Sequence, residues 1–372
     1  MYDYVQSILE DIKENGMKAL LKYSEQFDGF SGPFAVSPQE MLQASINPQD
    51  EAVIDEIIQR VKSYHSRQEI KSIFYVHEDS EYGLLANPIE RIGIYIPSGR
   101  SVLVSTLIMT AIPAILAGVS EIAVTCGSAG GAVNPFILYT AKKLGIHELY
   151  KISGVQAIAD MAYGINMRKT EKIFGPGNAY VTAAKKYLYG TVGIDCLAGP
   201  SEVCVIADDS ADKNYVLNDL QAQLEHGEDS RAYLITTSQD IFHSTTNPRI
   251  LKVLCENIEE CIKKVNEIAP EHLELMVQNP EKYLAYIKNA GAVYCGDYSP
   301  TAASDYFSGS NHVLPTDKTA RFSSVLTVYD FIKFSSYVKM SQKEFLEYRR
   351  LGIRLAEIEK MPAHRKSLEV RQ

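Results

Sequence analysis

The sequence lacks any excess of basic charge, any hydrophobic run long enough to cross a membrane, any closely paired cysteines and any low-complexity tract. Each absence removes a class of function. The 37 Lys and Arg stand against 46 Asp and Glu, for a formal net charge of −9, which excludes sequence-independent attachment to nucleic acid, because that needs a basic face. The longest apolar run, Thr106 to Val119, contains Pro113 and falls short of the ~20 residues of a spanning helix, so no membrane contact is expected. The six cysteines (Cys126, Cys196, Cys204, Cys255, Cys261 and Cys295) include no C-x-x-C pair. They read as buried free thiols of a reducing cytoplasm, neither zinc-finger ligands nor a disulfide frame. Met1-Tyr-Asp-Tyr-Val-Gln has no basic or continuous apolar stretch, so secretion is not expected. The usual dinucleotide fingerprint is also missing. Cys126-Gly-Ser-Ala-Gly-Gly131 departs from G-x-G-x-x-G, and no acidic residue ends the following strand pattern, Glu148 to Ile152.

What is present is a chain of 372 residues, 46% hydrophobic and 22% charged, long enough for two main domains with sizeable cores. Val5, Ile8, Leu9 and Ile12 mark one helix face near the start, and Val53, Ile54, Ile57, Ile58 and Val61 mark another. From Arg91 short apolar strands alternate with helical patterns, and from Val203 the alternation runs a second time, which implies parallel sheets with helices on their faces. The expected fold class is α/β, with two similar Rossmann-like parallel-sheet units, an N-terminal helical region and a C-terminal helical tail. The expected boundaries are 1–90 for the helical region, packed on the second unit, 91–200 and 201–328 for the two α/β units, and 329–372 for the tail.

Five stretches carry candidate chemistry. Gln223-Leu-Glu-His226 lies in a helix expected from Lys213 to Gly227, where positions i and i+3 share a face, so an amide oxygen and a ring nitrogen can meet at one metal ion. A surface helix with both side chains in water explains the same spacing. Phe174-Gly-Pro-Gly-Asn178 opens a helix, which suits an anion such as pyrophosphate and equally suits a bare turn. Ala269-Pro-Glu-His272 is expected to open a helix whose first turn holds Glu271 and His272, the dipole keeping the imidazole neutral as a base. Glu271 as a simple helix cap is the plainer alternative. Asp305, with Asn311-His-Val-Leu-Pro-Thr316 after it, and Glu359 with His364 near the end, are ligand or substrate candidates, against a turn carboxylate and a solvated tail. His65, His77, His147 and His243 are expected to be structural or surface residues.

Taken together the chain resembles the histidinol dehydrogenase family over nearly its whole length. The likeness is carried by Tyr95-Ile-Pro, Ser153-Gly-Val-Gln-Ala157, Phe174-Gly-Pro-Gly-Asn-Ala-Tyr-Val-Thr182, Gly193-Ile-Asp195, Ala198-Gly-Pro-Ser-Glu202, Gln223 to His226, Asn266-Glu-Ile-Ala-Pro-Glu-His-Leu-Glu274, Asn289-Ala-Gly291, Asn311 to Thr316 and Thr319-Ala-Arg-Phe-Ser-Ser324. The resemblance implies NAD-linked oxidation of L-histidinol through the aldehyde to L-histidine. It implies one zinc ion per subunit on Gln223, His226, Asp305 and His364, and a proton-transfer pair of Glu271 and His272. Ser201, His312 and Glu359 are implied as substrate contacts beside those ligands and His272, and Tyr95, Gln156 and Asn178 as NAD contacts. It further implies a homodimer in which the C-terminal tail completes the partner's site. Ser98 and Ser304 stand where the family has glycine, and the stretch from Asp240 to Glu259 is short. Two other readings stay open at this stage: a relative that oxidises another small amino or sulfonated alcohol, and a zinc hydrolase in which Glu271 activates water.

Overall fold

The computed structural model describes residues 1–97 and 102–372, with the backbone alone at position 226; Ser98 lies outside the described residues. The chain forms two compact units, one of Met1–Gln68 with Ile89–Phe331 and one of Glu69–Pro88 with Ile332–Gln372.

The first unit opens with α1 (Tyr2–Asn15), α2 (Met17–Asp28), α3 (Pro38–Gln43) and α4 (Pro48–His65). Ser37 caps α3 through a reciprocal bond with Glu40, which satisfies free N–H groups of the first turn. Two strands, β1 (Ile73–His77) and β2 (Ser80–Pro88), follow and belong to the second unit. The first sheet then uses β3 (Arg91–Ile96), β4 (Glu121–Cys126), β5 (Glu148–Lys151), β6 (Lys172–Phe174) and β7 (Gly193–Ile194), joined by α5 (Val104–Ala117), α6 (Pro135–Lys143), α7 (Gly154–Tyr163) and α8 (Ala179–Leu188). The second uses β8 (Glu202–Ala207), β9 (Arg231–Thr236), β10 (Ile250–Leu254), β11 (His272–Met276) and β12 (Ala292–Cys295), with α9 (Lys213–Gln223), α10 (Gln239–His243) and α11 (Ile258–Ile268) between them and α12 (Thr301–Tyr306) after the last. The stretch that the sequence marked as short holds the five-residue α10 and then β10.

Both sheets are parallel and have the same order, β5-β4-β3-β6-β7 and β10-β9-β8-β11-β12. In each, the first strand is central and buried along its whole length, which is why it reads as continuous apolar sequence. Each order reverses beside that strand, at β3/β6 and at β8/β11, the switch points where α/β sheets take ligands. The chain leaves β7 at the C-terminal edge of the first sheet and enters β8 at the N-terminal edge of the second through residues 195–201 alone. Seven residues reach about 25 Å at most, so those two edges are held near each other.

Three expectations need correction. Residues 73–88 are strands, so the N-terminal region is not wholly helical. The helices α1 and α2 pack on α7 and α8 of the first sheet, and α4 packs on α5. The apolar faces read from the sequence were right except at Val53, which is exposed, but a face does not name its partner. The C-terminal segment begins with another strand, β13 (Ile332–Lys339), before α13 (Gln342–Ile358) and α14 (Pro362–Glu369). This strand pairs antiparallel with β2, which pairs with β1. Tyr82 donates to Glu344 on α13 at 2.9 Å, and Ser341 N–H donates to Ser80 at 2.8 Å. The alternation of β13 is weak because only its first residue and Tyr337 are less than exposed.

Candidate active site

Glu271 and His272 stand at the N-terminal edge of the second sheet, and not in a helix. Helix α11 ends at Ala269 in the left-handed conformation (φ 53°), and Pro270 and Glu271 lead straight into β11. There His272 pairs with Val203 on one side and Ala292 on the other. The helix dipole invoked from the sequence is therefore absent. Glu271 is instead tuned by burial. Glu271 is 5% exposed; desolvation pushes its carboxyl up to about 8, against the Glu202 N–H, which donates to it at 2.9 Å, and the Ser201 hydroxyl. His272 Nε2 lies 3.8 Å from Glu271 Oε1. Its Nδ1 is 2.9 Å from the Tyr294 hydroxyl, and the two rings stack.

Three elements carry paired polar side chains in two layers. Along β11, His272 and Glu274 point to the same face; along α9, Gln223 and Asp219 lie one turn apart, as do Asp305 and Thr301 on α12, and α12 packs on α9. In the outer layer Gln223 is 3% exposed and its Nε2 has no hydrogen-bond partner. Burial raises the Asp305 carboxyl to about 6, and His312 Nδ1 lies 3.9 Å from it. In the inner layer Thr301 donates to Glu274 through its N–H at 2.6 Å and its hydroxyl at 2.8 Å. Burial and then the charge of Asp219 push Glu274 up as well. Helix α9 stops at Gln223, and residues 224–226 form a tighter 3-10 turn; the side chain of His226 lies outside the described residues.

A second group sits at the C-terminal edge of the first sheet. Tyr95 near the end of β3 accepts the Gly154 N–H at 3.2 Å. Gln156 donates to Asp28 at 3.0 Å, and the same carboxylate takes the Ser153 hydroxyl at 2.6 Å. Both Tyr95 and Gln156 are buried, beneath the turn that opens α7. Asn178 is exposed and caps α8, accepting from Tyr180 N–H and Val181 N–H. Gly175 closes the loop before it at φ 116°, where an added Cβ would lie 2.0 Å from the Tyr95 carbonyl oxygen, so only glycine lets β6 meet β3 there.

A family profile described as histidinol dehydrogenase matches residues 1–249 and 239–372. The chain belongs to the histidinol dehydrogenase family. It is 56% identical to the histidinol dehydrogenase of Thermococcus kodakarensis over 372 residues, covering 100% of this chain and 99% of that one. It is 41% identical to the enzyme of Carboxydothermus hydrogenoformans, covering 99% and 93%. The crystal structure of histidinol dehydrogenase from Elizabethkingia anophelis superposes with a TM-score of 0.94 at 37% identity, covering 99% and 91%.

The histidinol dehydrogenase fold thus gathers Ser201, Gln223, Glu271, His272, Asp305 and His312 within its first unit, and places Tyr95, Gln156 and Asn178 around one sheet edge. Glu359 and His364 belong to the second unit, exposed at the end of α13 and in α14. Among the described residues no three His, Cys, Asp or Glu side chains converge as a metal site. The donors present still fit one: the desolvated Asp305 carboxylate and the buried Gln223 amide, which binds a cation through its carbonyl oxygen, suit a divalent ion. Three supporting residues escaped the sequence. Tyr294 was visible only as a polar aromatic in an apolar strand, and Glu274 only as the last residue of a matched block; Asp28 gave no signal, because its partners come from a distant segment.

The remaining histidines and thiols behave as expected in part. His65 is buried and hydrogen-bonded. All six cysteines are free, four buried and two, Cys196 and Cys295, half-buried. No described helix is long and apolar enough to cross a membrane.

Proposed function

We propose that this member of the histidinol dehydrogenase family is zinc-dependent and NAD-linked, and that it oxidises L-histidinol through L-histidinal to L-histidine. The observation that supports this reading most directly is Glu271, buried and raised to about 8 beside His272, in a chain of this family. Turning an alcohol into an acid removes four electrons, so two hydrides leave in turn to NAD, with water added to the aldehyde between them. The first step needs a base at the alcohol and the second a base at the water. With Nδ1–H donated to the Tyr294 oxygen, His272 Nε2 is the accepting atom for the alcohol. Glu271, whose carboxyl exchanges its proton near neutral pH, serves the water.

Gln223, His226 and Asp305, with His364 from a second copy, are the residues that would hold zinc, which supplies a redox-inert anchor for the imidazole and amine nitrogens of the substrate. Ser201, His312 and the second copy's Glu359 contact the substrate around it. Tyr95, Gln156 and Asn178 position NAD where an open α/β sheet takes such ligands. The acting form in this reading is a cytoplasmic homodimer with no nucleic acid or membrane partner.

Purified protein with L-histidinol is expected to form two NADH per histidine, and a strong chelator to abolish this until zinc returns. One NADH per substrate with free aldehyde accumulating contradicts the two-step reaction; activity indifferent to chelation removes the metal.

A further inference from the structure

Helix α5 contains a proline, and the carbonyl that this proline releases is used. Pro113 has no N–H, so the carbonyl of Met109, four residues earlier, loses its ordinary helical donor. Met109 is fully buried, and a buried carbonyl without a donor is destabilising. Asn311 fills the gap, donating from Nδ2 to Met109 O at 2.6 Å. The rest of that amide is occupied too. Its Nδ2 also lies 3.4 Å from His65 Nε2, and its Oδ1 accepts the Val313 N–H at 2.9 Å. His65 can accept from Asn311 because burial favours its neutral form, while its Nδ1 faces Gln68 Oε1 at 3.1 Å.

The next residue, His312, meets the same helix. Thr106 stands three residues before Met109, on the same helical face, and its Oγ1 is 3.2 Å from His312 Nε2. Thr106 is 1% exposed, so its hydroxyl is held in one place. Helix α5, which belongs to the first sheet, therefore grips two successive residues of a loop of the second half.

We propose that Pro113, Met109 and Thr106 form a dock on α5 that positions His312 for the substrate, Asn311 being the latch that sets the loop and Thr106 the hydroxyl that sets the imidazole ring. This rests on the reading of His312 as a substrate contact. The role is one of positioning, and it differs from plain packing in a specific way: the effect of Thr106 passes through His312, so it disappears when the imidazole is absent.

The test is steady-state kinetics on four folded proteins, Thr106→Val, Pro113→Ala, His312→Ala and Thr106→Val with His312→Ala, alongside the wild type. Thr106→Val keeps the shape and removes the hydroxyl. Pro113→Ala returns an N–H that competes with Asn311 for the Met109 carbonyl, and alanine suits a helix interior, so the fold is retained. Each is expected to raise KM for L-histidinol by about fivefold or more, the scale of one lost hydrogen bond, with KM for NAD unchanged within about twofold. In the His312→Ala background Thr106→Val is expected to add nothing. The dock is overturned if both single variants keep KM for L-histidinol within about twofold, or if the Thr106→Val effect persists in full without His312. If His312→Ala itself leaves KM for L-histidinol unchanged, the substrate-contact reading is the one that fails, and the dock fails with it.

Discussion

Lys185 Nζ and Asp195 Oδ1 lie 2.6 Å apart with both side chains 3% exposed, and between them they hold Gly175 from both sides. The Gly175 N–H donates to Asp195 Oδ2 at 2.7 Å, and its carbonyl accepts from Lys185 at 2.5 Å. Asp195 also takes the Cys196 N–H at 2.7 Å, so one carboxylate ties the loop after β6 to the start of the link into the second sheet. A buried ion pair is stabilising only when its remaining donors and acceptors are used, as they are here. Lys185→Met alone strands the Asp195 charge and is expected to lower stability by about 3–5 kcal/mol. Lys185→Met with Asp195→Leu removes both charges and is expected to recover most of that loss in urea unfolding. A double variant no more stable than the single one contradicts this account of the pair.

Glu271→Gln is expected to separate the two proposed oxidations. The substitution keeps the shape and the acceptor for the Glu202 N–H but removes the base, so single-turnover NADH formation from L-histidinal is expected to slow by ~100-fold or more. Formation of the first NADH from L-histidinol should slow far less. His272→Asn is expected to impair both. Equal slowing of both substrates by Glu271→Gln would make Glu271 an orienting group for its neighbours.

The same residue predicts a pH dependence of stability in the metal-free, ligand-free protein. The folded carboxyl titrates near 8 and an unfolded one near ~4.3. Between those values the native state binds the proton and the unfolded state does not, so this group's contribution falls as pH rises through the window and levels off above it. Glu271→Gln should remove that slope. The variant is therefore expected to gain stability relative to the wild type between pH 5 and 8, read as the difference in urea midpoints. A difference independent of pH would place the native titration elsewhere.

Subunit mixing tests the shared site. Gln223→Ala and His364→Ala each remove a proposed ligand, one from the first unit and one from the tail. If the tail serves the partner, a mixed dimer holds one intact site, and activity is expected to return on exchange towards half of the wild-type value per dimer. Dimers that have demonstrably exchanged and stay inactive would confine each site to its own chain.

The sequence by itself determined the two rounds of alternating strand and helix, because strand and helix periods are local properties, and β4, β6, β10 and β12 fall where the apolar runs lie. It also identified Glu271, His272, Asp305 and His312 as chemically unusual and placed them in a family, because a run of matched residues in order is information carried along the chain. It could not decide the setting of Glu271 and His272. Pro270 after Ala269 looks like a helix start, yet β8 and β12 supply hydrogen-bond partners that make a strand, and those partners lie some seventy residues before and twenty after it. Tertiary structure alone decided that Glu271 and His272 lie at the start of a strand, where burial raises Glu271, that the carbonyl released by Pro113 meets Asn311, and that the segments 69–88 and 332–372 form one unit. Each is a contact between distant segments, where pairing geometry and desolvation set the energy and local preference has no vote.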